Sequence, residues 1–155
     1  MLECALILQM MLPTFSEDPL FVERMQVCEE IINEAQTQNV PQNIALAVAW
    51  QESNLTFQLK DNGYGVYGAM QIKSKYWCLP KNSDTWTPSN TSGDAQTCDF
   101  IRRGIFSLKY YLKRFPSVQT SLCAYAGADL NKCSSHSYTL RTIKLSRSFQ
   151  KLLLK

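Results

Sequence analysis

A chain of 155 residues with 45% hydrophobic and 19% charged content can bury one ordinary core and is too short for two, so a single domain over residues 1–155 is expected. A membrane-spanning helix needs roughly 18 consecutive apolar residues, and no such run occurs. The net charge of +3 is far below that of a dedicated nucleic-acid binder, although it suits an anionic polymer.

The amino-terminal LECALILQMMLP is apolar but carries Glu3 and has no Lys or Arg before Arg24, so it reads as a short first helix and a signal sequence is not evident. Beyond Asp18 as N-cap and Pro19 at the first helical position, Phe21, Met25, Cys28, Ile32 and Ala35 recur at helical steps, which predicts a helix ending before Val40-Pro41. Pro41 then opens NIALAVAWQES, apolar on all sides through its middle and therefore expected at the centre of the domain. In TFQLKDNGYGVYG, Asn62-Gly63 with flanking Phe57, Leu59, Tyr64 and Val66 predicts a β-hairpin. The polar segment from Cys78 to Gly93 is a long loop. Asp94 caps a predicted helix carrying Cys98, Ile101, Ile105, Leu108, Leu112 and Phe115. Ser117 caps a shorter one stopped by Gly127, and a last helix runs from about Thr139 with Arg141, Lys144, Arg147, Lys151 and Lys155 at three- and four-residue steps. The fold class is α+β, predominantly α-helical, with a small β-hairpin element.

Six cysteines, Cys4, Cys28, Cys78, Cys98, Cys123 and Cys133, include no Cys-x-x-Cys pair, and His136 is the single histidine. Zinc-ligand spacing is therefore absent, and neither a metal nor a cofactor is expected. An even count points to disulfides and export, the alternative being buried free thiols of a cytosolic protein. Proximity along the chain pairs Cys4 with Cys28, Cys78 with Cys98, and Cys123 with Cys133.

Glu52 poses the functional question, because it closes the apolar central helix. An ionised carboxylate there needs water, a partner or a proton. Burial beside Trp50 and the negative end of the helix dipole both favour the proton. A carboxyl kept neutral near physiological pH is what protonation of a leaving glycosidic oxygen requires. The bland alternative is a helix end reaching solvent.

Glu52-Ser53, then Gly68-Ala69-Met70-Gln71-Ile72, then Ala124-Tyr125-Ala126-Gly127 together resemble the ordered motifs of soluble lytic transglycosylases and goose-type lysozymes. The third motif lacks the Asn usual between Tyr and Ala, and Ala69 stands where Leu is common. The resemblance covers roughly residues 19–130. It implies a lysozyme-like fold whose groove binds the glycan strands of peptidoglycan. Glu52 would be the sole catalytic acid and base, cutting between N-acetylmuramic acid and N-acetylglucosamine to leave a 1,6-anhydro sugar. Ser53, Met70, Gln71 and Tyr125 match substrate-binding positions of that groove.

Taken without the resemblance, Gln71 offers donors and acceptors to sugar hydroxyls, whereas Tyr125 reads equally as a core aromatic. Trp77, Trp86 and Tyr76 are candidates for sugar stacking, and Asp61 is the nearest further carboxylate. The alternatives are a hydrolytic muramidase on the same fold and a noncatalytic wall-binding module using the basic last helix; a Cys–His nucleophile pair is disfavoured by the lone His136. The Asn54-Leu55-Thr56 sequon would place a glycan in the groove, which favours a bacterial or phage source. The expected setting is therefore the bacterial periplasm or cell envelope, or delivery by a phage. A secretion or conjugation apparatus is a possible partner.

Overall fold

The computed structural model describes residues 2–14, 17–79 and 95–154. Its helices are α1 (Leu2–Met11), α2 (Phe21–Thr37), α3 (Gln42–Ser53), α4 (Ser74–Trp77), α5 (Phe100–Arg114), α6 (Val118–Tyr125) and α7 (Ser137–Leu153), with a 3-10 turn at Leu130–Lys132. Strands β1 (Val66–Tyr67) and β2 (Ile72–Lys73) pair antiparallel, Val66 opposite Lys73 and Tyr67 opposite Ile72. The architecture is the expected α+β class, mostly helical.

Helix α3 is the centre of the core. Ile44 to Ala49 are all buried, and the small side chains of Ala45, Ala47 and Ala49 let neighbours approach closely from several sides. Helices α2 and α7 pack against it, and α5 packs on α2 and α6. Phe149 of α7 and Leu46 of α3 are among the largest fully buried side chains, and burial of such a side chain contributes about 1.5–3 kcal/mol. All six cysteines are paired, Cys4 with Cys28, Cys78 with Cys98 and Cys123 with Cys133, which is the pairing that proximity suggests.

Several helix starts differ from the sequence reading. Helix α2 begins at Phe21, because Asp18 turns its carboxylate to the backbone N–H of Leu20 and to Arg24 Nε, the latter at 2.6 Å. Helix α5 begins after Asp99, whose side chain accepts from the Arg102 N–H at 3.0 Å. Asp94 lies outside the described residues, as do Trp86 and most of the long loop, and Cys98 precedes the helix. At α6 the Ser117 cap accepts from Thr120, and Gly127 follows the last turn at φ 68°. Helix α7 starts two residues before Thr139.

The hairpin is displaced from its expected place. Asn62-Gly63 does not join two strands, and neither Phe57 nor Leu59 is in one. Asp61 Oδ1 instead accepts from the N–H groups of Gly63 and Gly65 at 2.9 and 2.8 Å, and Asn62 Oδ1 accepts from Tyr64 at 3.0 Å. Side-chain acceptors of this kind compete with a strand ladder for backbone donors. The true hairpin closes over Gly68-Ala69-Met70-Gln71. Gly68 has φ 84°, and a Cβ there would lie 2.5 Å from Cβ of Phe100, so glycine at this position lets the hairpin pack on α5.

Candidate active site

The apolar run that keeps α3 buried ends at Glu52, and Asn54 and Leu55 turn the chain away in left-handed conformations at φ 54° and 59°. Glu52 is thereby held half-buried at the floor of a cleft of about 490 Å³. The hairpin contributes Val66, Gln71, Ile72 and Lys73 to the walls, and α4 contributes Tyr76 and Trp77. Ser107 and Tyr111 come from α5, and residues 124–127 from the end of α6. Glu52 is the one carboxylate and Lys73 the one cation among the described residues lining it.

Tyr138, in the first turn of α7, donates its hydroxyl hydrogen to Glu52 Oε1 at 2.6 Å. Burial pushes the Glu52 carboxyl from its ordinary 4.5 up to about 7, and the Tyr138 hydrogen bond partly opposes this. The position at the C-terminal end of α3 acts in the same direction as burial. Burial, and then the Glu52 charge, holds the Tyr138 hydroxyl far above its ordinary 10.0, so it remains a donor at any working pH. With Oε1 accepting that bond, a neutral Glu52 favours its hydrogen on Oε2.

Of the residues singled out from sequence, Glu52, Gln71 and Tyr125 meet at this cleft. Gln71 Nε2 donates to the Gly68 carbonyl at 3.0 Å, which fixes its amide at the cleft wall. Tyr125 donates to the Met70 carbonyl at 2.7 Å and packs edge-on against Tyr111. Its hydroxyl is raised well above 10.0 by burial first and by the Glu52 charge second.

Ser53 and Met70 are not among the cleft-lining residues. The Ser53 hydroxyl donates to the Ala49 carbonyl and accepts from the Thr56 N–H, closing the end of α3. The Met70 side chain is fully buried, and a Cβ on Gly104 of α5 would meet its Sδ at 2.9 Å. Asp61, engaged with the loop backbone, does not line the cleft either. Tyr76 and Trp77 do. A Cys–His nucleophile is ruled out, since no free cysteine exists. Tyr138 escapes sequence reasoning because it lies 86 residues from Glu52, and nothing local in CSSHSYT distinguishes it from a core aromatic.

The Transglycosylase SLT domain family model matches residues 29–143. The chain belongs to this family. The match runs from within α2 into α7, so it takes in Glu52, the hairpin, α6 and Tyr138. No individual curated protein and no solved structure matches the chain. An SLT domain acts on peptidoglycan, and with three disulfides the protein is assigned outside the cytoplasm. No group of three or more His, Cys, Asp or Glu side chains able to hold a metal occurs among the described residues.

Proposed function

We propose that this SLT protein is a peptidoglycan lytic transglycosylase in which Glu52 alone serves as acid and then base. The observation that carries the reading is one carboxyl among the described residues lining the cleft, raised to about 7 and engaged on one oxygen by Tyr138. Protonated Oε2 gives its hydrogen to the bridging oxygen between N-acetylmuramic acid and N-acetylglucosamine as the C1–O bond breaks. The electron pair of that bond leaves with the N-acetylglucosamine unit, and positive charge develops at C1 of the muramic sugar. Glu52, now a carboxylate, takes the proton of the muramic 6-hydroxyl while that oxygen bonds to C1. The product is a 1,6-anhydro end, and Glu52 is again protonated.

Tyr138 favours the carboxylate between the two proton transfers, since a hydrogen bond to an ionised acceptor is about twice as strong as a neutral one. Gln71 and Lys73 offer the substrate's acetamido groups and carboxylates a donor set on one wall, and Tyr76 and Trp77 offer it ring faces. The absence of a second carboxylate among the described lining residues favours this route over a muramidase with paired carboxyls. The setting is the bacterial periplasm or envelope, or phage delivery to it.

Mass spectrometry of muropeptides released from purified sacculi tests the proposal. Anhydromuramic ends are expected, and reducing ends alone would replace the transglycosylase reading with hydrolysis. Glu52→Gln should lower turnover by ~10²-fold or more with the fold intact; comparable turnover in that variant would remove Glu52 from the reaction.

A further inference from the structure

Helix α7 has a second face unrelated to Glu52. Its buried residues Thr139, Thr142, Ser146 and Phe149 set the inner side. With 3.6 residues per turn, successive residues rotate by about 100°. Leu140, Lys144, Arg147, Lys151 and Leu154 then share an arc of about 80° directed away from that inner side. All five are exposed, Leu140 to 44% and Leu154 to 79%, and exposed Arg141 flanks them. From Leu130 to Lys155 the sequence has six cationic side chains and no Asp or Glu. None of Arg141, Lys144, Arg147 and Lys151 pairs with a carboxylate among the described residues.

We propose that this outer face of α7 is a peripheral docking surface for an anionic phospholipid bilayer. Like charges at three- and four-residue steps repel one another along a helix, and anions over the face relieve that repulsion. Charge alone fits any polyanion. The two leucines select the bilayer: they stand ~21 Å apart, bracketing the cations, and a headgroup layer over acyl chains accepts both kinds of side chain. A soluble polyanion rewards only the cations. No helix among the described residues is long and apolar enough to cross a membrane, so the contact lies in the plane of the surface.

Co-sedimentation of the full chain with vesicles tests this. Vesicles of phosphatidylglycerol and phosphatidylcholine in equal parts should carry the protein down, and vesicles of phosphatidylcholine alone should not. About 1 M salt should release it, since screening then acts over ~3 Å. Lys144→Gln with Arg147→Gln should lower partitioning about 30-fold, from ~1 kcal/mol per cation near an anionic surface. Leu140→Ser with Leu154→Ser should weaken it as well, while Glu52→Gln binds as the wild type does. Equal recovery on both vesicle types, no recovery on either, or charge variants that bind unchanged would overturn the proposal. Binding indifferent to the leucines, or recovery on sacculi alone, would replace the bilayer with a polyanion.

Discussion

Replacing Glu52 by Gln should make the protein progressively more stable than the wild type as pH rises. The folded carboxyl titrates at about 7 and the unfolded one at its ordinary 4.5. Below 4.5 both states hold the proton and burial of the neutral acid costs little. Between 4.5 and about 7 the unfolded chain ionises while the folded one does not, so wild-type stability falls as pH rises through that window. Above about 7 both are ionised and the loss is complete. At about 1.4 kcal/mol per pH unit the loss over the window is about 3 kcal/mol. For a chain of this size that corresponds to roughly 6–12 °C in Tm.

Gln at 52 has the same shape and can still accept from Tyr138 through Oε1, but it cannot ionise. Any constant cost of the substitution shifts its curve without bending it. Urea melts of both proteins from pH 4 to pH 8.5 give the difference directly. The variant should gain about 3 kcal/mol on the wild type across that range. Parallel curves would show that the Glu52 carboxyl is not raised by burial, and the acid–base reasoning would fail with it.

Tyr138→Phe removes the hydrogen bond that lowers the Glu52 pKa, so the alkaline limb of the pH–rate profile should move upward. Turnover should also fall by about 10-fold or more, from loss of a hydrogen bond to a charged group worth ~1.5–3 kcal/mol; an unmoved limb would separate Tyr138 from the acid. Gly68→Ala places a Cβ 2.5 Å from Phe100 Cβ at φ 84° and should cost about 3 kcal/mol or more in a denaturant melt, whereas a loss below about 0.5 kcal/mol would mean that the hairpin can lift off α5. Cys4→Ala with Cys28→Ala opens a loop of sequence separation 24 and should cost about 3 kcal/mol by chain entropy; a urea midpoint equal to that of the wild type would show that this bridge does not restrain the unfolded chain.

Elements with a one-sided apolar stripe are legible, because helical spacing reports the face that must be buried; α2 and α5 follow it closely, and α6 follows its Ser117 cap and Gly127 stop. The starts of α2 and α5 are less so. Asp18 and Asp94 are plausible caps by residue type, yet Asp18 is engaged by Arg24 and Leu20, and Asp99 holds the start of α5. Asn62-Gly63 does not turn a hairpin for a related reason, since the Asp61 and Asn62 side chains take the N–H groups of Gly63, Tyr64 and Gly65 that a strand ladder would use.

Glu52 was legible because an apolar helix ending in an acid conflicts with elementary solvation. Its partner was not, because contact between residues 52 and 138 depends on how α7 crosses α3. The placement of Ser53 and Met70 is likewise not legible in the motifs that contain them. The Ser53 hydroxyl holds the end of α3 while the Met70 side chain fills the space over Gly104.

The claim on which the account rests is that Glu52 holds its proton up to neutral pH. Selective carbon-13 labelling of glutamate side chains, with Glu52→Gln to assign the resonance, lets NMR follow that carboxyl alone from pH 3 to pH 9. A midpoint near 7 that rises in Tyr138→Phe is predicted. A midpoint below 5 in the wild type would contradict the account.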